Sequence, residues 1–216
     1  MIPNSIFTYE YNQPEDYRFS LDSVFLAQKV AEDLKKNEKN GPLTALDLCA
    51  GCGVIGMELH FHYPHIKKFD FIEVQNLYQP YFSQNIAQVK NSETSFHFLN
   101  LNYSELLSYD EYKNKYDLIV SNPPYFFIGE GILSPNEFKN RCRFFIDSDF
   151  NTLIKSIIHA LKTNAHAYIL VRSGNHHGRN IIDFIQDIVR ESADVAIFDE
   201  IRGTLVVKLT KKSIEV

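Results

Sequence analysis

The sequence contains little cysteine and no long apolar run. Its three cysteines are an odd number in a chain of 216 residues, so we expect no disulfide framework and a reducing compartment, most simply the cytoplasm. No apolar run approaches the about 20 residues that a helix needs to cross a bilayer. Residues 1–7 lack a basic region followed by an apolar core, which is the pattern of a secretory signal. The sequence therefore predicts a cytoplasmic protein without membrane association.

Basic residues are not in excess, and internal repeats and low-complexity segments are absent. The formal net charge of −5 argues against a protein that contacts nucleic acid over its whole surface, because phosphate binding depends on lysine and arginine. An apolar fraction of 44% and a charged fraction of 23% are ordinary for a globular protein. The length suits one substantial core. We predict a single domain over residues 1–216, with residues 1–40 as an N-terminal helical extension or lid.

Short apolar segments typical of buried strands alternate with segments of helical periodicity. Strands are predicted at residues 43–48, 69–74, 95–99, 116–121, 167–172, 195–199 and 204–210, and helices at 22–36, 54–62, 77–90, 149–161 and 180–190. This alternation predicts an α/β protein with a mostly parallel sheet covered on both faces by helices. Only a few residues, including Gly203, separate the last two strands, which favours an antiparallel hairpin.

A glycine-rich turn follows the first predicted strand. Gly51, Gly53 and Gly56 form the pattern G-x-G-x-x-G, in which the missing side chains let a ligand approach the backbone and a helix pack closely on the sheet. Glu73 ends the next strand 20 residues after Gly53, where a carboxylate can accept both hydrogens of a ribose diol. These residues fit a nicotinamide cofactor as well as any other that contains adenosine. Asp47, just before the turn, favours a ligand with an ammonium group, because it would repel a pyrophosphate.

Four residues after the fourth predicted strand are suited to binding a planar amino group. They are Asn122, Pro123, Pro124 and Tyr125. The asparagine oxygen and a proline carbonyl can accept hydrogens from an amino group whose lone pair is delocalised, which restores the nucleophilicity of its nitrogen. The prolines remove backbone donors, and the tyrosine ring offers a face for stacking. We interpret all four as catalytic, with a rigid turn after a strand as the structural alternative.

With these segments the chain resembles the class I S-adenosylmethionine (SAM)-dependent methyltransferases. Residues 47–53 match the first motif of that family, Glu73 matches the second, and residues 122–125 match the motif of members that methylate amino nitrogens. Cys49 stands where the first motif often has glycine, so small size is kept. The resemblance implies SAM as the cofactor. It also implies a Rossmann-like, seven-stranded, mostly parallel sheet with one antiparallel strand and helices on both faces.

The resemblance further implies which residues contact the cofactor. Asn102 stands where the family often has an aspartate that accepts a hydrogen bond from the adenine amine, and an asparagine oxygen can do the same. Tyr103 can pack on the adenine ring, whereas a plain turn is the structural alternative for Asn102. The full set of expected cofactor contacts is Arg18, Phe19, Ser20, Asp47, Cys49, Ala50, Gly51, Gly53, Glu73, Val74, Asn102, Tyr103 and Asn122.

Residues 18–27 indicate a more specific family among these methyltransferases. They are similar to the RFSxDSxLLA segment of the adenine-specific methyltransferases that modify the valine tRNA beside its anticodon. In that family the segment lies near the cofactor, although Ser20 or Asp22 can also cap the helix that follows. Relatives carry Arg-His-Glu after the active-site loop, where this chain has Asn-Arg-Cys-Arg at residues 140–143. This departure concerns the RNA target and not the chemistry.

The resemblance implies an adenine in RNA as the substrate, with tRNA favoured over rRNA, and we expect a monomer. The expected substrate contacts are Phe126, Lys139, Arg141 and Arg143. Lys208, Lys211 and Lys212 form a second basic cluster, which a solvated tail explains at least as well. Two other functions remain open. One is methylation of a glutamine amide in release factors, and the other is nucleic-acid binding without catalysis.

A metal site is the main competing interpretation of the glycine turn. Cys49 and Cys52 are followed by His60, His62 and His65, and two cysteines with two histidines can hold structural zinc. However, the cysteine pair lies inside the turn and the histidines lie where a helix ends, which suits tetrahedral closure poorly. We therefore predict no metal. The sequence assigns no role to Cys142.

Overall fold

The computed structural model describes residues 6–37, 43–90, 92–176 and 179–213. The strands are β1 Leu43–Leu48, β2 Ile66–Ile72, β3 Ser95–Leu99, β4 Tyr116–Ser121, β5 Leu161–Arg172, β6 Asn175–His176, β7 Arg179–Asn180, β8 Ala193–Ile201 and β9 Thr204–Lys211. The α-helices are α1 Leu21–Lys36, α2 Val54–His62, α3 Gln79–Ile86, α4 Glu137–Arg143, α5 Phe150–Ala160 and α6 Ile181–Val189.

Seven of the strands form one sheet in the order β3-β2-β1-β4-β5-β9-β8. The pairs from β3 through β5 are parallel, whereas β9 is antiparallel to both of its neighbours, β5 and β8. Arg202 and Gly203 join β8 to β9 with φ angles of 50° and 84°, the left-handed pair that a two-residue hairpin turn requires. The expected Rossmann-like sheet with one antiparallel strand is thus confirmed.

Helices cover both faces of the sheet. Along β4, Ile119 packs into the core formed with α5 and α6, while its neighbours Leu118 and Val120 pack into the core formed with α1 and α2. Successive residues of a strand point to opposite faces, so an uninterrupted apolar strand contributes to two cores. This explains why apolar residues are consecutive in the middle of β4 and do not alternate with polar ones.

Several predicted boundaries are accurate and others are wrong. β1, β3, β4 and α2 begin and end at the predicted residues. β2 spans Ile66–Ile72 instead of 69–74, because Ile66 is already paired with Leu43. Glu73 therefore follows the strand instead of ending it.

β5 begins six residues earlier than predicted, at Leu161, and among the helices one prediction is wrong and one helix was missed. The helix predicted at 77–90 is a 3₁₀ turn at Asn76–Tyr78 followed by the short α3. α4 was not predicted, since its seven residues are too few for a helical apolar pattern. In the part of the chain that the structure describes, no helix is long and apolar enough to cross a membrane.

The segment that precedes α1 is held against α2 and α3 without being helical. The backbone N–H and the hydroxyl of Thr8 each donate to the Glu58 carboxylate at 2.8 Å, and so does the hydroxyl of Tyr11. Glu58 is completely buried in α2, so these bonds satisfy a charge that has no access to water. Of the extension predicted at 1–40, the described helix is α1, and residues 1–5 and 38–40 lie outside the described residues.

Gly56 allows α2 to lie directly on β2, and its replacement is expected to destabilise the fold. A Cβ added there would lie 2.3 Å from the Phe71 ring and 3.1 Å from the Phe69 ring. Both rings are fully buried, so Gly56→Ala is expected to lower the free energy of unfolding by about 1–3 kcal/mol. Denaturant unfolding measures this change.

Gly131→Ala is the control for that measurement. Its added Cβ would approach the Phe144 ring only to 3.3 Å, so a much smaller change is expected. If both variants unfold at the wild-type denaturant concentration, the aromatic rings beneath α2 can move aside and close packing at Gly56 is not a requirement of the fold.

Candidate active site

A cavity of about 190 Å³ lies where β1, β2 and β4 end. Ala50, Glu73 and Asn122 follow these three strands and line it. In open parallel sheets, ligands bind at this carboxyl edge. Tyr17 and Phe19 from the N-terminal segment and residues 141–148 complete the wall, so the cavity collects residues from the whole first two thirds of the chain.

The glycine turn after β1 contains three left-handed residues, which explains its composition. Cys49, Gly51 and Gly53 have φ angles of 61°, 53° and 88°. A Cβ at Gly53 would also come within 2.8 Å of the Phe82 ring. For a residue with a Cβ the left-handed conformation costs about 1–2 kcal/mol, a cost that Cys49 carries and a glycine there would not.

Glu73 connects the glycine turn to the segment after β2. Its Oε2 accepts the Gly51 N–H and its Oε1 accepts the Gln75 N–H, both at 2.9 Å. Burial raises the pKa of the carboxyl group, while these two backbone donors oppose the rise. The carboxylate lines the cavity and keeps lone pairs for further donors, as a diol requires.

Asp47 is completely buried behind the turn. Its Oδ2 accepts the Gly56 N–H at 2.9 Å, whereas its Oδ1 has no partner among the described groups. Burial raises the pKa of this carboxyl group well above its ordinary value. The residue does not line the cavity, so it holds the turn. Its unpartnered Oδ1 is a buried acceptor behind the cavity wall and is not part of the lining.

The Asn-Pro-Pro-Tyr segment presents acceptors to the cavity. The side-chain nitrogen of Asn122 donates to Ser23 Oγ at 2.9 Å, so its oxygen is left for another donor. The two prolines have no N–H, and the N–H groups of Tyr125 and Phe126 both donate to the carbonyl of Arg143 at 3.1 and 3.0 Å. The backbone donors of Tyr125 and Phe126 are therefore engaged away from the cavity, which suits binding of an amino group by the acceptors of the segment.

Residues 19–131, more than half of the chain, match the family described as the methyltransferase small domain. The chain belongs to this family. It is accordingly a SAM-dependent methyltransferase, and the Glu73 carboxylate and the glycine turn line the cavity with acceptors and a closely approachable backbone that fit SAM.

Known proteins similar to this methyltransferase include a tRNA1(Val) (adenine(37)-N6)-methyltransferase of Christiangramia forsetii. It is 24% identical over 168 residues, which are 74% of this chain and 68% of that protein. The fold is also similar to the ribosomal protein L11 methylase of Lactobacillus delbrueckii subsp. bulgaricus, with a TM-score of 0.59, 16% identity, and 91% and 81% of the two chains covered. For a SAM-dependent methyltransferase of Agrobacterium tumefaciens the TM-score is 0.60 at 10% identity, with 90% and 63% covered.

Most of the site residues predicted from the sequence meet at this cavity. Those that line it are Phe19, Ser20, Cys49, Ala50, Gly51, Glu73, Val74, Tyr103, Asn122, Pro123, Pro124, Tyr125, Phe126, Arg141 and Arg143. Those that do not are Arg18, Asp47, Gly53, Asn102 and Lys139. The side chain of Asn102 accepts the Ser104 N–H at 3.0 Å and donates to the Asp147 carbonyl at 2.9 Å. Its oxygen is engaged in the local turn and its nitrogen in a contact with a distant loop, which favours a structural role for Asn102.

Several residues of the two basic clusters form ion pairs or hydrogen bonds within the fold. Arg141 donates to the Asp147 carboxylate from Nε and Nη2, at 3.0 and 2.7 Å, so much of its charge is neutralised. At the C-terminal end, Lys208 forms an ion pair with Asp33 at 2.8 Å. Lys211 donates to two backbone carbonyls near the start of β5 at 2.6 and 2.8 Å. These lysines hold the structure together.

The structure gives Cys142 a position that the sequence did not indicate. Its sulfur lies 3.3 Å from both Gln75 Nε2 and the Tyr78 hydroxyl oxygen, in the cavity wall. Burial raises the pKa of the thiol to about 11, so it stays protonated at neutral pH and is a poor nucleophile. Gln75 is identifiable from its position two residues after Glu73, but no sequence signal connects it to Cys142.

No group of three or more histidine, cysteine or acidic residues suited to a metal ion occurs among the described residues. His60, one of the histidines considered above, lies within hydrogen-bond distance of the Ser92 and Thr94 hydroxyls, at 3.1 and 3.4 Å. Burial lowers its pKa. This ring therefore connects α2 to the segment before β3.

Ser23 was missed by the sequence analysis, and its replacement is expected to slow turnover. Ser23 Oγ is the described partner of the Asn122 amide nitrogen, and the serine is buried in the first turn of α1. Loss of a bond worth about 1 kcal/mol lets the amide rotate, so Ser23→Ala is expected to lower kcat about fivefold. The KM for SAM should stay close to the wild-type value in steady-state assays.

Ser156→Ala is the matched control for Ser23→Ala. Ser156 is a completely buried serine of α5 whose hydroxyl has no partner among the described groups. Ser156→Ala is expected to leave kcat unchanged. Equal effects of the two substitutions on kcat would show that the Ser23 effect comes from general packing and not from orientation of Asn122.

Proposed function

We propose that this methyltransferase transfers a methyl group to the exocyclic amino nitrogen of an adenine in RNA, with tRNA as the favoured substrate. The observation that carries the proposal is the orientation of Asn122. Its amide nitrogen is bound to Ser23, which leaves its oxygen as an acceptor at the cavity beside Pro123, Pro124 and Tyr125. An amino group held by acceptors, next to a stacking ring, is what methylation of a nucleobase nitrogen requires.

The residues expected to bind the cofactor form another part of the cavity wall. Glu73 accepts hydrogen bonds from the ribose hydroxyls, with Gly51 allowing close approach of the ligand to the backbone. Phe19 and Ser20 face the methionine end from the N-terminal segment, and Tyr103 packs beside the adenine. Each of these residues lines the cavity. When bound, SAM supplies a methyl group on a positively charged sulfur.

Catalysis by this chain consists mainly of positioning. Asn122 and the Pro123 carbonyl accept the hydrogens of the substrate amine and aim its nitrogen at the methyl group, while Tyr125 or Phe126 stacks on the base. The amine becomes acidic as it is alkylated and releases its proton afterwards, so no strong general base is needed. A base that is paired in a helix has to be unstacked to enter, which favours a loop nucleotide.

Two comparisons support an RNA substrate. The relative from Christiangramia forsetii carries the name of a tRNA adenine-N6 methyltransferase, and residues 18–27 resemble a segment of that family. The monomeric state and the single-domain organisation with an N-terminal lid at residues 1–40 remain predictions.

The test is transfer of radiolabelled methyl groups from SAM to unmodified tRNA, rRNA and release factors in parallel, followed by nucleoside analysis. Label in tRNA as N6-methyladenine is the expected result. Label confined to release factors would replace the adenine proposal by glutamine methylation. If none of the three substrates is labelled while the tRNA still binds, the noncatalytic alternative is favoured.

A further inference from the structure

Two arginines meet at the ring of Phe126, the residue directly after the Asn-Pro-Pro-Tyr segment. The guanidinium carbon of Arg172 lies 4.7 Å from the ring centroid, and that of Arg143 lies 5.3 Å from it. Arg172 ends β5, which is paired with β4 next to the site, and Arg143 ends α4. The two guanidinium carbons are therefore separated by no more than the sum of these distances, and both contact Phe126, which lines the cavity.

Neither of these charges is neutralised within the part of the chain that the structure describes. Arg141 and Arg202, the arginines nearby in sequence or in the sheet, form ion pairs with Asp147 and Asp22. No such pair is formed by Arg143 or Arg172. Two like charges held close together repel each other. An anion between the two groups would offset this repulsion, and two arginines without a described ion pair around one ring stand out in a chain whose net charge is −5.

Contact with the Phe126 ring leaves the N–H donors of both guanidinium groups available to an anion. An aromatic face binds the flat side of a guanidinium group, and the N–H donors at its edge remain free to hold an anion in a two-point contact. Arg172 is exposed and Arg143 is half-buried, so an anion can reach both from solvent. Phosphate is the group that such forks recognise in nucleic acids.

We propose that Arg143 and Arg172 bind the backbone phosphates that flank the target nucleotide, with Phe126 as the common support of both side chains. This inference rests on the RNA function proposed above and adds Arg172 to the substrate contacts. A nucleotide whose base enters the cavity carries a phosphate on each side, and both remain at the mouth. The two arginines thus hold the backbone while Asn122 holds the base.

The test compares Arg172→Gln with Arg190→Gln. Glutamine keeps part of the stem over the ring but removes the charge. Arg190 is exposed and lies at the opposite edge of the sheet, because Ala193 pairs with Lys211 whereas Arg172 pairs with Thr204. Binding of a fluorescently labelled, unmodified tRNA transcript is measured by anisotropy over a series of KCl concentrations. Methyl transfer to the same RNA is measured in parallel.

Arg172→Gln is expected to weaken RNA binding about tenfold and to reduce the slope of log affinity against log salt by about 1. The KM for SAM should not change. Arg172→Lys keeps the charge and should retain the slope, and Arg190→Gln should behave as wild type. A loss of affinity with an unchanged slope would mean that Arg172 acts by packing on Phe126, which overturns the phosphate contact.

The wild-type protein separates failure of this inference from failure of the proposed function. If it methylates the tRNA and Arg172→Gln binds with wild-type affinity and slope, the inference alone is wrong. If the wild-type protein neither binds nor methylates RNA, the RNA function is wrong and the phosphate contact is overturned with it.

Discussion

Asn122→Ala is expected to lower kcat by about 10²–10³-fold, the loss typical of removing one preorganised hydrogen-bonding group from an active site. The side-chain oxygen is the acceptor left after the amide nitrogen donates to Ser23. Without it, the substrate nitrogen is no longer aligned with the methyl group. The dissociation constant of SAM should remain close to the wild-type value. Single-turnover methyl transfer and isothermal titration calorimetry measure the two quantities.

The control for this prediction is Asn151→Ala. Asn151 is an exposed asparagine in the first turn of α5 and should leave both quantities unchanged. If Asn122→Ala weakens SAM binding as much as it slows turnover, Asn122 contributes to the cofactor pocket and its assignment as the group that orients the substrate is wrong.

Glu73→Ala is expected to weaken SAM binding about 100-fold. Two hydrogen bonds from ribose hydroxyls to a charged acceptor contribute about 1.5 kcal/mol each, which corresponds to a hundredfold change in affinity. The substitution also removes the acceptor of the Gly51 and Gln75 N–H groups. At saturating SAM, kcat should stay near the wild-type value, because the proposed contact of Glu73 is with the ribose and not with the reacting atoms.

Glu73→Gln distinguishes the ribose contact from support of the turn. Glutamine keeps the shape and one carbonyl acceptor but has no charge, so intermediate affinity is expected. Glu93→Ala, at an exposed ion pair with Lys67, should not alter SAM binding. Unchanged SAM affinity with a lower melting temperature in Glu73→Ala would limit the role of Glu73 to holding the turn.

The alternation of strands and helices and the glycine turn could be expected from sequence because they depend on local features and on a family resemblance. An apolar run followed by glycines predicts a strand, a left-handed turn and a helix, and β1 and α2 begin and end where expected. The helix predicted at 77–90 was too long, because the α-helix ends at Ile86. α4 is held by an Asn136 cap and has no long apolar pattern to reveal it.

The candidate site was only partly predictable. Residues inside the motifs reach the cavity, because the ends of neighbouring parallel strands meet at one edge. Asn102 has the expected place after β3, but the carbonyl of Asp147, far along the chain, engages its amide. Arg141 was expected to contact substrate, and the structure shows that it is bound to Asp147. In both cases Asp147, which is 45 residues from Asn102 and six from Arg141, takes up the group that was expected to contact a ligand.

The order of strands and helices, the left-handed turn around Gly51 and the motif after β4 are properties of neighbouring residues, so the chain specifies them locally. The contact between Ser23 and Asn122 joins residues 99 positions apart, and the meeting of Arg143 and Arg172 at Phe126 joins α4 to β5. Such contacts depend on the order of strands in the sheet and on the packing of helices against it. Local preferences do not encode these distances, and folding of the whole chain brings the groups together.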